Sequence, residues 1–303
     1  MTGFKTIGLI GRPGSELASQ TVKRLFHLLV EAGYSALLDT NTAASLPGLE
    51  VRCEDLDELG QVADIVIVVG GDGSLLGAAR AVCQYGTPLL GVNRGRLGFL
   101  TDISPNDIDT KVLEVLGGAY LSETRFLLEM EVLRNGEQVG DGIALNDVVL
   151  HPGKFIRMIE FELYVDEYFV YSQRSDGIII STPTGSTAYA LSGGGPLMHP
   201  KLDAIEIVPI SPHTLSSRPM IISGKSQVRM VIGAENTAFP YATCDGQIHL
   251  VTQPGDEVIV RKHEHELTLI HPLGHDFYET CRRKLGWGSH LPTDNDVDFE
   301  EDA

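Results

Sequence analysis

One stretch of the chain is the most informative about its fold: residues 64–80 read DIVIVVGGDGSLLGAAR. After Asp64 it is a continuous run of β-branched side chains, as expected of a strand that is covered on both faces. A glycine turn follows at 70–73, and the residues from 75 onward have helical character. The stretch therefore predicts a strand–turn–helix unit of a parallel α/β sheet.

The sequence on either side of this stretch repeats the same alternation. Residues 5–10 and 35–39 are typical of buried strands, and residues 87–93 form a further short one. Between the first two, apolar residues recur at helical spacing (Val22, Leu25, Phe26 and Leu29), and Gly33 stands where a helix cap is expected. These patterns predict a Rossmann-like α/β domain over residues 1–122.

The pattern changes near residue 125. Asn135-Gly136 is a strong hairpin signal, and residues 158–165 alternate with period two. Strand-like runs separated by turns continue to about residue 270. We therefore expect an all-β domain of packed strands over 123–275, then a C-terminal segment over 276–290 that packs back on the first domain. Residues 291–303 read as an acidic, disordered tail.

Composition limits the classes of function. The formal charge of −18 argues against binding to nucleic acid or to an anionic membrane surface. No apolar run approaches the roughly 20 residues that span a bilayer, and the N-terminus does not resemble a signal peptide. The four cysteines lack metal-ligand spacing, and His263 and His265 have no third ligand nearby in sequence, so their strand face is expected to be solvated. Reduced thiols predict a cytoplasmic protein.

The glycine turn of residues 70–73 has the features of an anion site. Gly70, Gly71 and Gly73 allow a ligand to approach closely, and the helix that follows offers free N–H groups. A carboxylate is unexpected there, because Asp72 would repel a phosphate. Asp72 could cap the helix, hold Mg²⁺, or accept a proton from an attacking hydroxyl. The turn alone leaves all three roles open.

Other nucleotide-binding signatures are missing. The chain has no GxxxxGK[ST] sequence, and the glycines of its first turn (Gly8, Gly11 and Gly14) lack dehydrogenase spacing. Asp39 is therefore interpreted as a turn residue at a strand end, and not as a ribose ligand. A P-loop enzyme and a dehydrogenase are both disfavoured.

A second group of polar loops lies in the β-rich half. Residues 174–196 read RSDGIIISTPTGSTAYALSGGGP, and the density of glycine and hydroxyl side chains favours a ligand loop. Its hydroxyls could donate to ribose or phosphate oxygens. Further polar turns hold Asn146-Asp147, His213, Arg218 and Gln247. Together they predict a polar face on a cleft between the two domains.

Taken in order, six segments closely resemble bacterial NAD kinases: GGDG (70–73), NRGRLGFLTD (93–102), LNDVVLHPG (145–153), SDGIIISTPTGSTAYALSGGGP (175–196), PHTLSSRP (212–219) and DGQ (245–247). GGDG alone also occurs in diacylglycerol and sphingosine kinases, whereas the longer loops are more specific. The resemblance runs from about residue 5 to 288. It implies a nucleotide site in the cleft and transfer of the γ-phosphoryl group of ATP to the 2′-hydroxyl of the adenosine ribose of NAD, assisted by Mg²⁺ bound through ATP.

The resemblance also implies roles for individual residues. Asp72 would be the proton acceptor, with Gly73 beside the ligand. The implied dinucleotide-binding residues are Asn146, Asp147, Arg157, Arg174, Asp176, Thr187, Ala188, Tyr189, Ala190, Leu191, Ser192 and Gln247. Relatives often carry Ser where this chain has Ala190, so a hydroxyl contact is lost there.

Three further expectations concern substrate preference, the charge of the triphosphate and assembly. Arg174 is similar to the residue of enzymes that are restricted to NAD⁺ and ATP. Arg94 and Arg96 are candidates to offset the charge of the triphosphate. A homo-oligomer, dimer or tetramer, is expected. The alternatives are a lipid kinase that shares the GGDG turn and a non-catalytic dinucleotide sensor.

Overall fold

The computed structural model describes residues 3–95, 98–153, 157–236 and 239–288. In the N-terminal part the strands are β1 (Thr6–Gly11), β2 (Ser35–Asp39), β3 (Cys53–Glu54), β4 (Ile65–Gly70) and β5 (Leu89–Asn93). The helices are α1 (Glu16–Glu31), α2 (Thr40–Ala44), α3 (Leu56–Val62), α4 (Asp72–Val82) and α5 (Ile108–Leu116).

The strands of this part pair in parallel in the order β3-β2-β1-β4-β5. The chain moves outward from β1 to β3 and then returns to β4 on the other side of β1. The connections after β1 and β4 therefore diverge, which opens a crevice at the carboxyl ends of these two strands.

Helices cover both faces of the parallel sheet. Buried side chains of α1 and α5 pack on one face, and those of α3 and α4 pack on the other. Helix α1 begins where the Ser15 hydroxyl accepts from the Ala18 N–H at 3.3 Å, and just beyond its end Gly33 adopts φ +87°. The predicted amphipathic helix and its glycine stop are confirmed.

The C-terminal part consists mainly of antiparallel strands. They are β6 (Tyr120–Arg134), β7 (Glu137–Ala144), β8 (Asp147–His151), β9 (Ile159–Val165), β10 (Tyr168–Ser175), β11 (Gly177–Ser181), β12 (Ala204–Ile210), β13 (Met220–Ser223), β14 (Val228–Ile232), β15 (Tyr241–Cys244), β16 (Ile248–Val251) and β17 (Glu257–Pro272). Two helices complete it, α6 (Tyr189–Ser192) and α7 (Phe277–Leu285).

These strands form two sheets that face each other. One has the order β13-β12-β11-β8-β15-β16, and the other contains β10-β9-β14-β17 with β6 and β7. A large apolar cluster that includes Phe161 and Met230 fills the space between them. Asn135 and Gly136 have φ values of 54° and 81°, so the predicted hairpin turn between β6 and β7 is confirmed. The predicted fold class, an α/β part followed by an all-β part, is also confirmed.

Strand β17 connects the two parts of the molecule. Its first half pairs with β14, whereas Leu269 and Ile270 near its end pair in parallel with Leu89 and Leu90 of β5. Along its other edge it pairs with β6, with an irregularity between Lys262 and Glu266. The domain boundary expected between residues 122 and 123 thus lies inside β6, where one sheet continues from the first part into the second.

The chain after β17 returns to the N-terminal part. The Lys284 ammonium of α7 lies 5.6 Å from the ring centroid of Phe99, and residues of α7 line a cavity together with residues 102–111. No helix in the described part of the chain is long and apolar enough to cross a membrane. The expected acidic tail, residues 291–303, lies outside the described residues.

Candidate active site

Asp72 is oriented by a different loop from the one that carries it. Helix α4 begins at this residue, and its cap position is Gly71, which makes no side-chain capping bond. The Asp72 carboxylate instead accepts from the N–H groups of Phe99 at 2.8 Å and Leu100 at 3.1 Å, and from the Thr101 hydroxyl at 3.4 Å. Of the three roles that the sequence left open, helix capping is therefore wrong.

Gly98 makes this arrangement possible. A Cβ atom at this position would overlap the Asp72 Oδ1 atom and would lie 2.6 Å from the Thr101 hydroxyl oxygen. A glycine is needed so that the backbone of residues 98–101 can approach the carboxylate closely. The segment NRGRLGFLTD therefore has a physical role, which is to hold Asp72 in place.

A cavity of about 490 Å³ lies at the crevice between β1 and β4. The glycine turn contributes Gly71 and Gly73 to its wall, and the turn after β1 contributes Arg12. Arg12 is exposed and makes no side-chain hydrogen bond or ion pair within the described ranges. An unengaged guanidinium, glycines and a helix N-terminus are features that commonly bind anions.

Asp39, which was predicted to lie at the end of a strand, borders the same cavity. Its Oδ2 atom caps α2 by accepting from the N–H and the hydroxyl of Thr42, both at 3.0 Å. Its Oδ1 atom is buried and has no hydrogen-bond partner among the described residues. The structure thus confirms a turn role and leaves one oxygen of Asp39 without a protein partner beside the cavity.

A second cavity, of about 340 Å³, lies in the β-rich part. Four residues implied by the resemblance line it: Asn146, Asp147, Ala188 and Tyr189. Asp147 is buried, and burial, reinforced by the nearby charge of Asp245, raises its pKa to about 7. This carboxyl group can therefore change its charge near neutral pH.

Asp245 connects the second cavity to helix α4. Its carboxylate is completely buried and accepts from the backbone N–H groups of Leu145 at 3.1 Å, Asn146 at 2.8 Å and Asp147 at 3.3 Å. It also accepts from the Arg80 guanidinium of α4 at 2.7 Å. One buried ion pair thus fixes the Asn146-Asp147 turn relative to the helix that begins at Asp72.

Gln247 lies between the two cavities. Its amide nitrogen donates to the Gly73 carbonyl at 2.9 Å, and its amide oxygen accepts from Arg80. Gln247 lines the first cavity, whereas Asp245 and Gly246 of the same turn line the second. Residues of the α/β part and of the β-rich part therefore both border the predicted cleft.

The hydroxyl-rich loop is held together by its own side chains. Thr182 donates to the Leu145 carbonyl at 2.6 Å, Ser186 to the Pro183 carbonyl at 2.7 Å and Thr187 to the Thr184 carbonyl at 3.1 Å. The hydrogens of these three hydroxyls are therefore used in bonds to backbone carbonyls that stabilise the loop.

The short helix α6 follows that loop. Ala190 is fully buried against Val149, Ile179 and Val208, whereas Tyr189 is 48% exposed. Leu191 is half-buried and Ser192 is exposed. Neither residue lines the second cavity, nor do Thr187 and Ala190, so the cavity contact of this segment is limited to Ala188 and Tyr189.

Three implied binding residues lie away from both cavities. Arg157, Arg174 and Asp176 are exposed, and Arg174 lies 4.0 Å from the Glu160 carboxylate. Asp176 precedes β11, whereas the loop that enters the second cavity follows β11, about 17 Å further along the strand. Within one chain these three residues do not join the others.

Arg94, a candidate partner of the triphosphate, donates through Nε to the Thr21 hydroxyl of α1. Arg96 lies outside the described residues. Three charged residues of the site were not predicted from the sequence: Arg12, Arg80 and Asp245. Asp245 stands in the DGQ segment and could have been found there, whereas nothing in the sequence pairs it with Arg80.

An anion-binding glycine turn, a carboxylate fixed beside it and a second polar cavity across a cleft define a nucleotide-dependent phosphotransferase. Comparison with known families agrees. The description "ATP-NAD kinase N-terminal domain" matches residues 7–120, and "ATP-NAD kinase C-terminal domain" matches residues 145–272. The chain belongs to the ATP-NAD kinase family, and the resemblance seen in the sequence is confirmed.

Individual relatives support the same assignment. The chain is 59% identical over 290 residues to an NAD kinase of Teredinibacter turnerae, covering 96% of this chain and 99% of the relative. It is also 59% identical over 291 residues to an NAD kinase of Chromohalobacter salexigens, again covering 96% and 99%.

Solved structures share the fold. A yeast NADH kinase complexed with NADH superimposes with a TM-score of 0.84 at 22% identity, over 96% of this chain and 90% of the other. An NAD kinase from Archaeoglobus fulgidus in complex with ATP gives a TM-score of 0.66 at 24% identity, over 93% and 98%. The lipid-kinase alternative is not favoured by any of these similarities.

Proposed function

We propose that this chain transfers the γ-phosphoryl group of ATP to the 2′-hydroxyl of the adenosine ribose of NAD, and that Asp72 is the general base. The observation that carries the proposal is the fixed orientation of the Asp72 carboxylate by three donors from residues 99–101. An ionised carboxylate has about four acceptor sites, so one remains for a substrate hydroxyl. A dinucleotide sensor would not need a carboxylate oriented in this way.

The proposed reaction is an in-line phosphoryl transfer. The ribose 2′-oxygen attacks the γ-phosphorus and forms a new P–O bond, while the bond from that phosphorus to the bridging oxygen of ADP breaks. The hydroxyl proton passes to an oxygen of Asp72, and ADP leaves with the electron pair of the broken bond. In such a reaction, positioning and charge stabilisation supply most of the rate enhancement.

The two cavities suggest a division of the substrates. The phosphate groups would lie against Gly71, Gly73 and the guanidinium of Arg12, where N–H groups and a positive charge are available. The dinucleotide would extend into the second cavity, with Asn146 and Asp147 on its ribose hydroxyls and Tyr189 beside a ring. Gln247 would contact both substrates, and Thr187, Leu191 and Ser192 would support the loop that carries Ala188.

Mg²⁺ fits this site as part of the nucleotide. A Mg²⁺ ion in such enzymes is commonly held by substrate phosphates, water and one or two carboxylates. Two carboxylates are candidates for this role: Asp72 belongs to the glycine turn, and Asp39, whose Oδ1 atom has no partner among the described residues, lines the first cavity. When bound, the ion would neutralise charge on the phosphate oxygens.

The proposal is tested by mixing the purified protein with NAD⁺, Mg-ATP and a coupled dehydrogenase that responds only to NADP⁺. We expect NADP⁺ formation, and Asp72→Asn should lower turnover by about 10³-fold, since a positioned base contributes roughly 10²–10⁴-fold. NAD⁺ binding should stay within threefold in calorimetry. Absence of NADP⁺ from the native protein would refute the reaction, and an active Asp72→Asn variant would refute the base.

Donor and acceptor choice are tested in the same assay. Arg174 supports a preference for NAD⁺ and ATP, so replacing them by NADH or polyphosphate should lower the rate at least tenfold. Equal rates with NADH would remove that role from Arg174.

We propose that the chain forms a homo-oligomer in which a second copy binds the dinucleotide through Arg157, Arg174 and Asp176. Their exposure and their distance from the cavities of their own chain support this arrangement. Mixing inactive Asp72→Asn with inactive Asp176→Asn chains should restore up to about a quarter of native activity, because some sites then combine two intact halves. No recovery from refolded mixtures would argue that each chain acts alone.

A further inference from the structure

A cluster of potential metal ligands lies outside both cavities. Asp102 follows the loop that holds Asp72, His271 lies near the end of β17, and His275 lies between β17 and α7. Within the described ranges these are the residues that come together as a group of three possible ligands, and their ligand atoms all lie within 4.8 Å of one another.

The geometry of the cluster centres on the Asp102 carboxylate. Its Oδ2 atom contacts Nδ1 of His271, and its Oδ1 atom lies 3.2 Å from Nδ1 of His275. The two imidazole rings are stacked with centroids 3.9 Å apart. In a tetrahedral site with Zn–N distances near 2.1 Å, ligand atoms lie about 3.4 Å apart, so small side-chain movements would accommodate an ion.

The surroundings of His271 resemble the outer shell of a metal site. Its side chain is 1% exposed, and its Nε2 atom has no hydrogen-bond partner within the described residues. That atom lies 3.8 Å from the Glu123 carboxylate, which is itself paired with the buried Arg125 at 2.5 Å. Metal-bound histidines commonly donate their second ring nitrogen to such a carboxylate.

The cluster is also accessible. Asp102 and His275 line a cavity of about 200 Å³, which is formed by residues 102–111 on one side and 272–283 on the other. Water or another small ligand could complete the coordination from this cavity. Two imidazoles and one carboxylate with an open position are a donor set typical of divalent transition metals.

We propose that Asp102, His271 and His275 bind a divalent transition-metal ion such as Zn²⁺. The site joins the C-terminal segment to the loop of residues 98–102. The same loop holds the Asp72 carboxylate through the N–H groups of Phe99 and Leu100. Metal binding therefore stabilises the C-terminal segment and the loop behind Asp72 together. The site is separate from the nucleotide cavities and does not depend on the reaction proposed above.

The chain offers a matched control on the same strand. His263 and His265 also lie in β17, but Nδ1 of His263 accepts from the His265 N–H at 3.1 Å and the pair has no third ligand among the described residues. A double variant, His263→Gln with His265→Gln, removes two histidines from β17 without touching the cluster.

The test uses the full chain after dialysis against a chelator, titrated with Co²⁺ followed by visible absorption and with Zn²⁺ in competition. We expect one ion per chain with a Kd in the micromolar range or tighter. His275→Gln should weaken binding at least 100-fold, and Glu123→Gln about tenfold, as loss of an outer-shell partner does. The His263→Gln/His265→Gln variant should bind like the native chain.

Other outcomes would overturn the site. They are no binding by the native chain, native-like binding by His275→Gln, or loss of binding in the His263→Gln/His265→Gln control. Circular dichroism would show whether His275→Gln is folded. If this variant is unfolded, X-ray absorption of the native Zn²⁺ complex provides the test. The proposal requires scattering from two imidazoles, and a spectrum that is fitted without histidine would refute it.

Discussion

The two cavities of the molecule are built by different means. The cavity beside the parallel sheet is bordered by Gly71, Gly73 and the start of α4, so a ligand there can approach backbone groups closely. The cavity in the β-rich part is built on two buried acidic side chains, Asp147 and Asp245, of which Asp245 is paired with Arg80. The first arrangement suits phosphate groups, which backbone N–H groups can bind, whereas the second presents acidic side chains in fixed positions.

This difference teaches where each site is vulnerable. The first cavity should fail when a side chain is added, because the backbone must approach closely. The second should fail when a charge is removed, because its turn is held by a buried ion pair. The following predictions test that contrast, in order of decreasing effect.

Asp245→Asn should have the largest effect on stability. It leaves the Arg80 guanidinium without its charged partner and weakens three backbone contacts, and breaking a buried pair typically costs about 3–5 kcal/mol. Urea unfolding measures the loss of free energy of unfolding. Asp203→Asn is the control, because its pair with Lys262 is exposed and should contribute less than about 1 kcal/mol. Equal losses in the two variants would contradict the role of Asp245.

Gly98→Ala should lower turnover about 100-fold, because the new Cβ would overlap the Asp72 carboxylate and displace it. The KM values for ATP and NAD⁺ should change less than threefold. Gly95→Ala is the matched control in the same loop, since a Cβ there meets no atom within 4 Å. Steady-state kinetics of both variants tests the prediction, and native turnover by Gly98→Ala would show that Asp72 tolerates displacement.

Asp147 should make dinucleotide binding dependent on pH. Its pKa of about 7 means that the carboxylate becomes available to ribose hydroxyls as the pH rises from 6 to 8. The KM for NAD⁺ should fall up to about tenfold over that range, and Asp147→Asn should flatten the profile. An unchanged profile in Asp147→Asn would assign the titration to another group.

The same shift has a consequence for stability. The folded chain keeps a proton on Asp147 that the unfolded chain releases above pH 4, so this contribution is fully present at low pH and is lost as the pH rises to about 7. The free energy of unfolding of the native and Asp147→Asn proteins, measured at pH 5 and pH 8, tests this. The native protein should lose more of it between the two pH values than the variant does.

Gln247→Leu should have the smallest effect. It removes two hydrogen bonds, one to the Gly73 carbonyl and one from Arg80, each a contribution of about 1 kcal/mol. We expect a threefold to tenfold loss of kcat/KM and a melting temperature that is lower by a few degrees. A larger loss would indicate that Gln247 contacts a substrate strongly as well as joining the two cavities.

Features set by neighbouring residues were predictable from the sequence. Strand β2 has the predicted bounds, 35–39, and the Asn135-Gly136 turn forms the predicted hairpin. The glycine turn of residues 70–73 borders the first cavity, and the Asn146-Asp147 turn borders the second. All of these depend on local periodicity or on turn chemistry.

Features that depend on distant residues could not be predicted. The sequence does not indicate that Phe99 and Leu100 hold Asp72, or that Arg80 pairs with Asp245, 165 positions later. It also predicted that the loop hydroxyls face a ligand, whereas Thr182 and Ser186 donate to nearby carbonyls. Small polar residues satisfy backbone groups as readily as substrates, and composition does not distinguish the two.

The pairing of β17 with β5 has a consequence for synthesis of the chain. Until Leu269 and Ile270 have been added, Leu89 and Leu90 lie at an open edge of the parallel sheet. Nascent chains therefore carry an unprotected, apolar strand edge for most of translation, and such edges promote association between chains. Fragments that end before residue 269 should aggregate on ribosome release, whereas the complete chain closes its own edge.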